Sequence, residues 1–401
     1  QMAAQWQSCW DQIGVSYNDF IRTTESRHVE TVQRLFQHMF DNGDIYKGKY
    51  VGLYCTGCET FLKESELDEN DHCPDHKKLP TKLEEENYFF RLSAYEEPLK
   101  KYYEENPLFL QPNARKNEIL SFIESGLEDI SVSRETAEFG ISLPVDPDHK
   151  VYVWFDALIN YLSGLPNNEK NDAWQQAYHV VGKDITRFHC VIWPAMLLAC
   201  GIELPKQVYA HGFFTIDGQK MSKSLGNVTS PLELSQKYGN DALRIGLLSS
   251  FEFGNDGDFS LQQFDQFYQT KLAGGVGNLF NRVIVLIHKF YDGAKPENSP
   301  LENSFEKAFN EAFENYKIKS AIDIYFEVVA QANQLMNETE PWKLAKTDPE
   351  AAKEVFGKLI PYLEFLSQKA AIILPESSIK MTEMLGNNQK VGEAQILFER
   401  V

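Results

Sequence analysis

The chain has 401 residues, 13% of them aromatic, and a formal charge of −19. That length allows two or three domains with cores of their own, and that aromatic content excludes a disordered chain. No apolar run approaches the roughly 20 residues of a membrane span, and so acidic a chain can bind nucleic acid only where Lys and Arg cluster on one face.

The start, Gln1 to Trp10, is polar, without the basic region of a signal peptide. It also lacks an initiator methionine, which points to an N-terminus further upstream. A helix-like stretch comes first. A second helical pattern runs from Arg27 to Phe40, with Val29, Val32, Leu35, Phe36, Met39 and Phe40 near helical spacing. The turn Asp41-Asn42-Gly43-Asp44 ends it, and Tyr46 to Tyr54 alternates like a strand or hairpin. Residues 81–150 mix acidic helical stretches with short strands. The apolar runs Val151 to Phe155, His179 to Gly182 and Gln207 to His211 are expected as buried strands. Helical stretches from Ala157 to Leu165 and from Ile185 to Cys200 separate them, an alternation that predicts one half of a parallel, doubly wound sheet. From Leu261 to Leu374 the pattern is helical, broken near Pro296 to Pro300 and Thr347-Asp348-Pro349, and Pro375 is expected to end it.

Cys55-x2-Cys58 and Cys73-x2-His76 form two pairs of metal-ligating side chains, each pair closely spaced. Two-residue gaps let both side chains of a pair reach one ion from a tight turn. Three thiolates and one imidazole complete a closed tetrahedron, the coordination of a structural zinc ion with no open position for water. Cys9, Cys190 and Cys200 stand alone, so the cysteine usage is that of a reduced cytosolic protein rather than a disulfide framework.

Lys220-Met221-Ser222-Lys223-Ser224 sets two lysines three apart among small hydroxyl residues, between Gly218 and Gly226. Such a cationic loop can close on a polyphosphate and neutralise charge that grows on leaving pyrophosphate. An isolated Lys/Ser pentamer is more often a solvated turn. The longer string from His211-Gly212-Phe213-Phe214 through Leu225-Gly226-Asn227 is more specific.

That string resembles the lysine-loop motif of class I aminoacyl-tRNA synthetases in its methionyl form. The single Cys/Cys/Cys/His knuckle is similar to the bacterial type. Ser133-Arg134-Glu135, Val151 to Ala157, Gly182-Lys183-Asp184-Ile185 with Phe188-His189, Gly277 to Arg282 and Glu340-Pro341-Trp342 also resemble that family. The resemblance implies that Trp154, Ala157, Tyr161, Ile185 and His189 line a methionine pocket. In it Tyr161 or His189 would direct a hydrogen bond toward sulfur. It implies ATP contacts from Gly182, Asp184, Lys220, Met221, Ser222, Lys223 and Ser224, with Lys220 and Lys223 catalytic, and anticodon contacts from Asn278, Arg282 and Trp342. Leu158 stands where many members carry proline.

The expected architecture is therefore α/β. It comprises a remainder of the first half of a Rossmann-like parallel sheet (1–25), a connective insert with the zinc knuckle (26–150), the second half of the sheet (151–212), a lysine-loop linker domain (213–265), a helical anticodon-binding bundle (266–375) and a C-terminal tail (376–401). The expected function is a cytoplasmic, monomeric methionine–tRNA ligase. It would use ATP with Mg²⁺, L-methionine and tRNA(Met), including the initiator, carry one structural Zn²⁺, and have no membrane partner. The family's His-x-Gly-His string does not occur in this sequence. These residues alone are accordingly expected not to form methionyl-adenylate, and a non-catalytic tRNA-binding module is the alternative. A cysteinyl sister enzyme is disfavoured, because its zinc sits in the amino-acid site rather than in an insert.

Overall fold

The computed structural model describes residues 2–55, 60–62, 67–74, 77–135, 137–216, 219–220, 229–298, 300–301 and 304–401. The chain divides into two compact units, one of residues 17–210 and one of residues 1–16 with 211–401. Helix α1 (Met2–Gln12) opens the chain in the second of these.

In unit 17–210, helix α2 (Ser26–Asp41) buries His28, Thr31, Val32, Leu35, Phe36 and Met39. These are spaced by threes and fours, the apolar stripe that drives a surface helix onto a core, except that a histidine stands in its first turn. A ribbon follows from β1 (Ile45–Cys55), β2 (Thr60–Leu62) and β3 (Thr81–Phe90). Strands β1 and β3 pair antiparallel from Ile45↔Phe90 at the core end to Tyr54↔Thr81 at the far end. Cys55 therefore lies at the tip.

Helix α3 (Glu96–Glu105), strand β4 (Leu110–Gln111) and helix α4 (Asn113–Glu124) come next. The short strands β5 (Ile130–Ser131), β6 (Ser133–Arg134) and β7 (Lys150–Val151) follow, then the helical turns α5 (Val153–Ala157) and α6 (Asn160–Ser163). Strand β8 (Tyr178–Gly182), helix α7 (Trp193–Ala199) and strand β9 (Gln207–His211) complete the segment.

The three-stranded sheet has the order β4-β9-β8, with β4 parallel to β9. Two strands expected from the sequence, β8 and β9, are in it. The third, Val151 to Phe155, is not. Of that run only Val151 lies in a strand, pairing with Ser133 in a separate ladder; Tyr152 is extended but unladdered, and from Val153 the chain is helical. Five apolar residues do not distinguish a strand from a buried helical turn, and here the Asp156 N–H donates to the Tyr152 carbonyl and starts the turn. Strand β8 is buried on one face only, since Val180 is 62% exposed while His179 and Val181 are enclosed.

In the other unit, β10 (Phe214–Ile216) pairs with β11 (Gln219–Lys220) and, after helices α8 (Pro231–Tyr238) and α9 (Asn240–Ser250), with β12 (Gly257–Asp258). The helices α10 (Leu261–Phe267), α11 (Asn278–Tyr291), α12 (Ser304–Glu314), α13 (Ile318–Thr339), α14 (Pro341–Thr347), α15 (Pro349–Ile373) and α16 (Pro375–Leu385) then pack around one apolar core. Among the described residues no helix is long and apolar enough to cross a membrane. Gly246 lets α9 meet α10 closely, because a Cβ there would lie 2.3 Å from the ring of Phe264.

Pro375, expected to end the helical run, instead opens α16, where its missing N–H costs nothing. That start is held by Asp241 of α9. Its buried carboxylate accepts the backbone N–H groups of Glu376 at 3.2 Å and Ser377 at 2.6 Å. A negative charge on a helix N-terminus is favourable twice over, through the bonds and through the helix dipole. Nearby, the Tyr325 hydroxyl is buried with no hydrogen-bond partner among the described residues. Burial foremost, then the Asp241 charge, raises its pKa.

The two groups predict opposite effects in urea denaturation. Asp241→Ala is expected to destabilise the protein by about 2–3 kcal/mol, whereas Tyr325→Phe removes an unsatisfied polar atom and is expected to stabilise it by up to about 1 kcal/mol.

Candidate active site

The turns from Tyr152 to Gly164 form a broken helix. Trp154, Ala157 and Tyr161 stand at i, i+3 and i+7, so they share one face, while Phe155, Leu158, Ile159 and Leu162 are sunk in the core. Leu158 fits that core without disturbing the turn.

Aromatic packing fixes both ends of the shared face. Trp154 stacks on Phe188, with centroids 4.1 Å apart and planes 13° from parallel. Tyr161 stacks on His179 at 4.0 Å. Phe188–Ile192 make a π turn, a form whose extra residue re-aims side chains and recurs at functional sites. The turn carries His189 toward Tyr161.

The protons of this cluster can be assigned from donor and acceptor chemistry. The Ile185 carbonyl can only accept, so His189 Nδ1 donates to it at 2.9 Å. His189 Nε2 is then the lone pair, and the Tyr161 hydroxyl donates to it at 2.7 Å. The Trp193 indole N–H donates to His179 Nε2 at 3.2 Å, so His179 carries its proton on Nδ1. Burial holds both imidazoles neutral. His189 is lowered, mainly by desolvation, and His179 is lowered to about 3, by desolvation and then by His189. Burial pushes the Tyr161 phenol up to about 12. Tyr161 and His189, one or the other of which is expected to direct a hydrogen bond toward sulfur, are thus hydrogen-bonded to each other. What they present to a ligand is an aromatic surface and phenolic lone pairs.

Gly182 ends β8, and the 3₁₀ turn Lys183–Ile185 follows with Asp184 exposed. Ligands of open α/β sheets bind outside the carboxyl ends of strands, and this is such an end. From this turn the Ile185 carbonyl reaches His189, which in turn meets Tyr161, so expected residues of two separate stretches are joined by hydrogen bonds. Lys220 pairs with Thr215 in the β10–β11 ladder. Met221, Ser222, Lys223 and Ser224 lie outside the described residues.

At the ribbon tip Cys55 and Cys73 are both buried. The Cys73 backbone closes a tight turn, donating to the Lys78 carbonyl and accepting from Lys77, whose φ is +50°. Cys58 and His76 lie outside the described residues, and among the described residues no group of three metal-ligating side chains forms. Two enclosed thiols in a polar insert, one on a knuckle-like turn, fit a soft-donor zinc site.

In the helical bundle Asn278 and Arg282 share a face of α11, opposite its buried Leu279, Phe280, Val283 and Ile287. The Arg282 guanidinium lies 5.0 Å from the centre of the Trp342 ring on α14. The structure therefore joins two of the three expected anticodon residues directly.

Some residues of these sites carry no mark in the local sequence. Phe188, His179 and Trp193 complete the aromatic cluster, and only the high aromatic content near residues 174–193 hints at it. His28 is joined to Asp156 and Ser163, more than a hundred residues away.

Comparisons with known proteins show the family and the fold. The family model described as tRNA synthetases class I (M) matches residues 1–82 and 69–284. The methionine–tRNA ligase of Caldanaerobacter subterraneus subsp. tengcongensis is 43% identical over 394 residues, and that of Thermotoga maritima 41% over 393. Each match covers 94% of this chain and 62% of the relative, so the chain spans about three fifths of the length of these curated relatives. The solved structure of Mycobacterium tuberculosis methionyl-tRNA synthetase in complex with methionyl-adenylate matches with a TM-score of 0.90 at 33% identity, covering 98% of this chain and 85% of that one.

The lowered His179 sets an acid limit. The unfolded chain binds a proton at this residue near pH 6.5 while the folded one resists until about pH 3. Its contribution to stability is complete above that window and is lost as pH falls through it. His179→Gln, which keeps an acceptor for Trp193, is expected to flatten the acid limb of the stability–pH curve between those values, as read by thermal melts.

Proposed function

We propose that this chain, which belongs to the tRNA synthetases of class I (M), supplies the amino-acid pocket and the RNA-reading helices of a methionine–tRNA ligase. The observation that carries the reading is the aromatic pocket wall of Trp154, Ala157 and Tyr161. It stands against Ile185 and His189 in a chain of this family.

Methionine suits such a wall. Its polarisable thioether gains about 0.3–1.5 kcal/mol against aromatic rings. Shape alone separates substrates differing by one methylene by about 1–3 kcal/mol. Because His189 holds the Tyr161 proton, sulfur would meet ring edges rather than a hydroxyl donor, and polarisability does the discriminating. In the first step a methionine carboxylate oxygen attacks the α-phosphorus of ATP and the bond to the β-phosphate oxygen breaks, releasing pyrophosphate. In the second step a ribose hydroxyl of the tRNA terminus attacks the methionyl carbonyl and AMP leaves.

Gly182 and Asp184, at the end of β8, are proposed to hold the nucleotide. Lys220 and Lys223, with Met221, Ser222 and Ser224, are proposed to close on the phosphates. Mg²⁺ arrives with ATP and offsets phosphate charge. Cys55, Cys58, Cys73 and His76 are proposed to hold one Zn²⁺, whose contribution is to tie the ribbon tip. Asn278, Arg282 and Trp342 are proposed to read the anticodon of tRNA(Met), initiator included. Bases of a single-stranded loop are read by stacking and edge contacts, which a tryptophan with a neighbouring guanidinium and amide supplies. We place the reaction in the cytoplasm and in a monomer.

Two measurements on the full-length natural polypeptide test this. Aminoacylation of tRNA(Met) is expected to require methionine and ATP. Trp342→Ala is expected to lower kcat/KM for tRNA by roughly tenfold or more, as for loss of one base–aromatic stack, while methionine-dependent ATP–pyrophosphate exchange is unchanged. Equal loss of both activities, or of neither, contradicts the anticodon assignment. Metal analysis of protein purified without chelator is expected to find one zinc per chain, and its absence contradicts the knuckle.

A further inference from the structure

Behind the pocket wall lies a buried polar group that the reaction does not use. The His28 side chain is completely enclosed. Its Nε2 lies 2.6 Å from Asp156 Oδ1 and its Nδ1 lies 2.7 Å from Ser163 Oγ. Asp156 and Ser163 are themselves buried, and they stand seven residues apart, one in each of the two helical turns that carry Trp154, Ala157 and Tyr161. An i, i+7 pair lies on one helical face, just as Trp154 and Tyr161 do. The segment therefore shows its aromatic face to the pocket and its polar pair to helix α2.

The protons are consistent with one arrangement. A carboxylate only accepts, so His28 Nε2–H donates to Asp156, and the Ser163 hydroxyl can then donate to Nδ1. Both ring nitrogens are satisfied. A core histidine merely tolerated by the fold would be a poor device for stability, since an apolar side chain of similar volume fills such a site as well or better. What an imidazole between two bonds provides is a fixed distance. The segment needs one, because α5 and α6 span five and four residues and make few backbone bonds of their own.

The geometry points to His28 as a positioning residue for the amino-acid pocket: through Asp156 and Ser163 it pins both helical turns of the 153–163 segment to each other and so sets the spacing of Trp154 and Tyr161. His28 touches no substrate. The inference rests on the methionine-ligase reading for its consequence, but not for the clamp itself.

The test uses the full-length natural polypeptide with His28→Ala, His28→Gln and Ser163→Ala. Hydrogen exchange reads the clamp without reference to activity. In His28→Ala the amides of 153–163 are expected to exchange at least tenfold faster, while those of α4 in the same unit keep their rates. ATP–pyrophosphate exchange reads the consequence. The KM for methionine is expected to rise about tenfold or more, the scale of displaced binding groups, with the KM for ATP and kcat within about threefold of the wild type. His28→Gln, whose amide can still donate to Asp156, is expected to recover part of the methionine KM. Ser163→Ala is expected to show the same pattern more weakly, and decides the matter if His28→Ala does not accumulate folded. An unchanged methionine KM, or methionine and ATP KM rising together, overturns the positioning role. Unchanged exchange in 153–163 overturns the clamp. Wild-type protein without methionine-dependent exchange activity would instead contradict the functional reading and leave the hydrogen-exchange result to judge the clamp.

Discussion

Two helical turns cannot hold their own shape in water, and the candidate active site is built on two such turns. Forming a first turn fixes several dihedral angles for a single hydrogen bond, so segments this short take their conformation from their surroundings. Everything about 153–163 follows from that constraint. Phe155, Leu158, Ile159 and Leu162 are sunk to near-zero exposure, and Trp154 and Tyr161 stack on Phe188 and His179. Asp156 and Ser163 meet His28. Each of these neighbours comes from a different element, so the pocket wall is a product of the unit's whole core.

The same dependence explains what was legible in the sequence. Helices α2 and α11 announce themselves because their apolar spacing is long enough to be periodic, and the paired cysteines because their spacing is short enough to be local. Val151 to Phe155 was illegible as structure. Five apolar residues suit a strand or a buried turn equally, and the choice was made by the ladder at Val151 and the bond from Asp156 to Tyr152. Strand β4 is two residues long and carries no pattern, yet it is the parallel neighbour of β9. The family strings, by contrast, named residues from two distant stretches, and folding brings Tyr161 of one into a hydrogen bond with His189 of the other. His28, His179 and Asp241 were beyond reach for a common reason. Each acts through a partner that only folding supplies, and nothing beside it in the chain signals that partner.

Tautomer assignment sharpens what the pocket can do. A tyrosine and a histidine near a thioether suggest a hydrogen bond to sulfur, and the sequence supports nothing finer. The Ile185 carbonyl removes that freedom. By taking the His189 Nδ1 proton it turns Nε2 into an acceptor, and Nε2 is a stronger acceptor than a thioether sulfur. The Tyr161 proton stays with His189 for as long as burial keeps the imidazole neutral. One backbone carbonyl thereby makes the pocket aromatic and acceptor-rich.

Arg282 and Trp342 pose the corresponding question for RNA. The guanidinium already covers one face of the indole, an interaction worth about 0.5–1 kcal/mol at an exposed site. A stacked base is worth about 1–3 kcal/mol. Were a base to displace Arg282 from that face, the net gain would be small and the cation would lose its place. A base meeting the exposed part of the indole beside Arg282 would add stacking and leave the arginine in place. Asn278, one helical turn from Arg282 on the same face of α11, adds an amide to that surface. The chain is strongly acidic, so few cations can be spent on general attraction to RNA. An arginine held in place by a tryptophan uses one of those few with little loss of side-chain freedom on binding, which suits a reader of one loop better than a general binder of RNA.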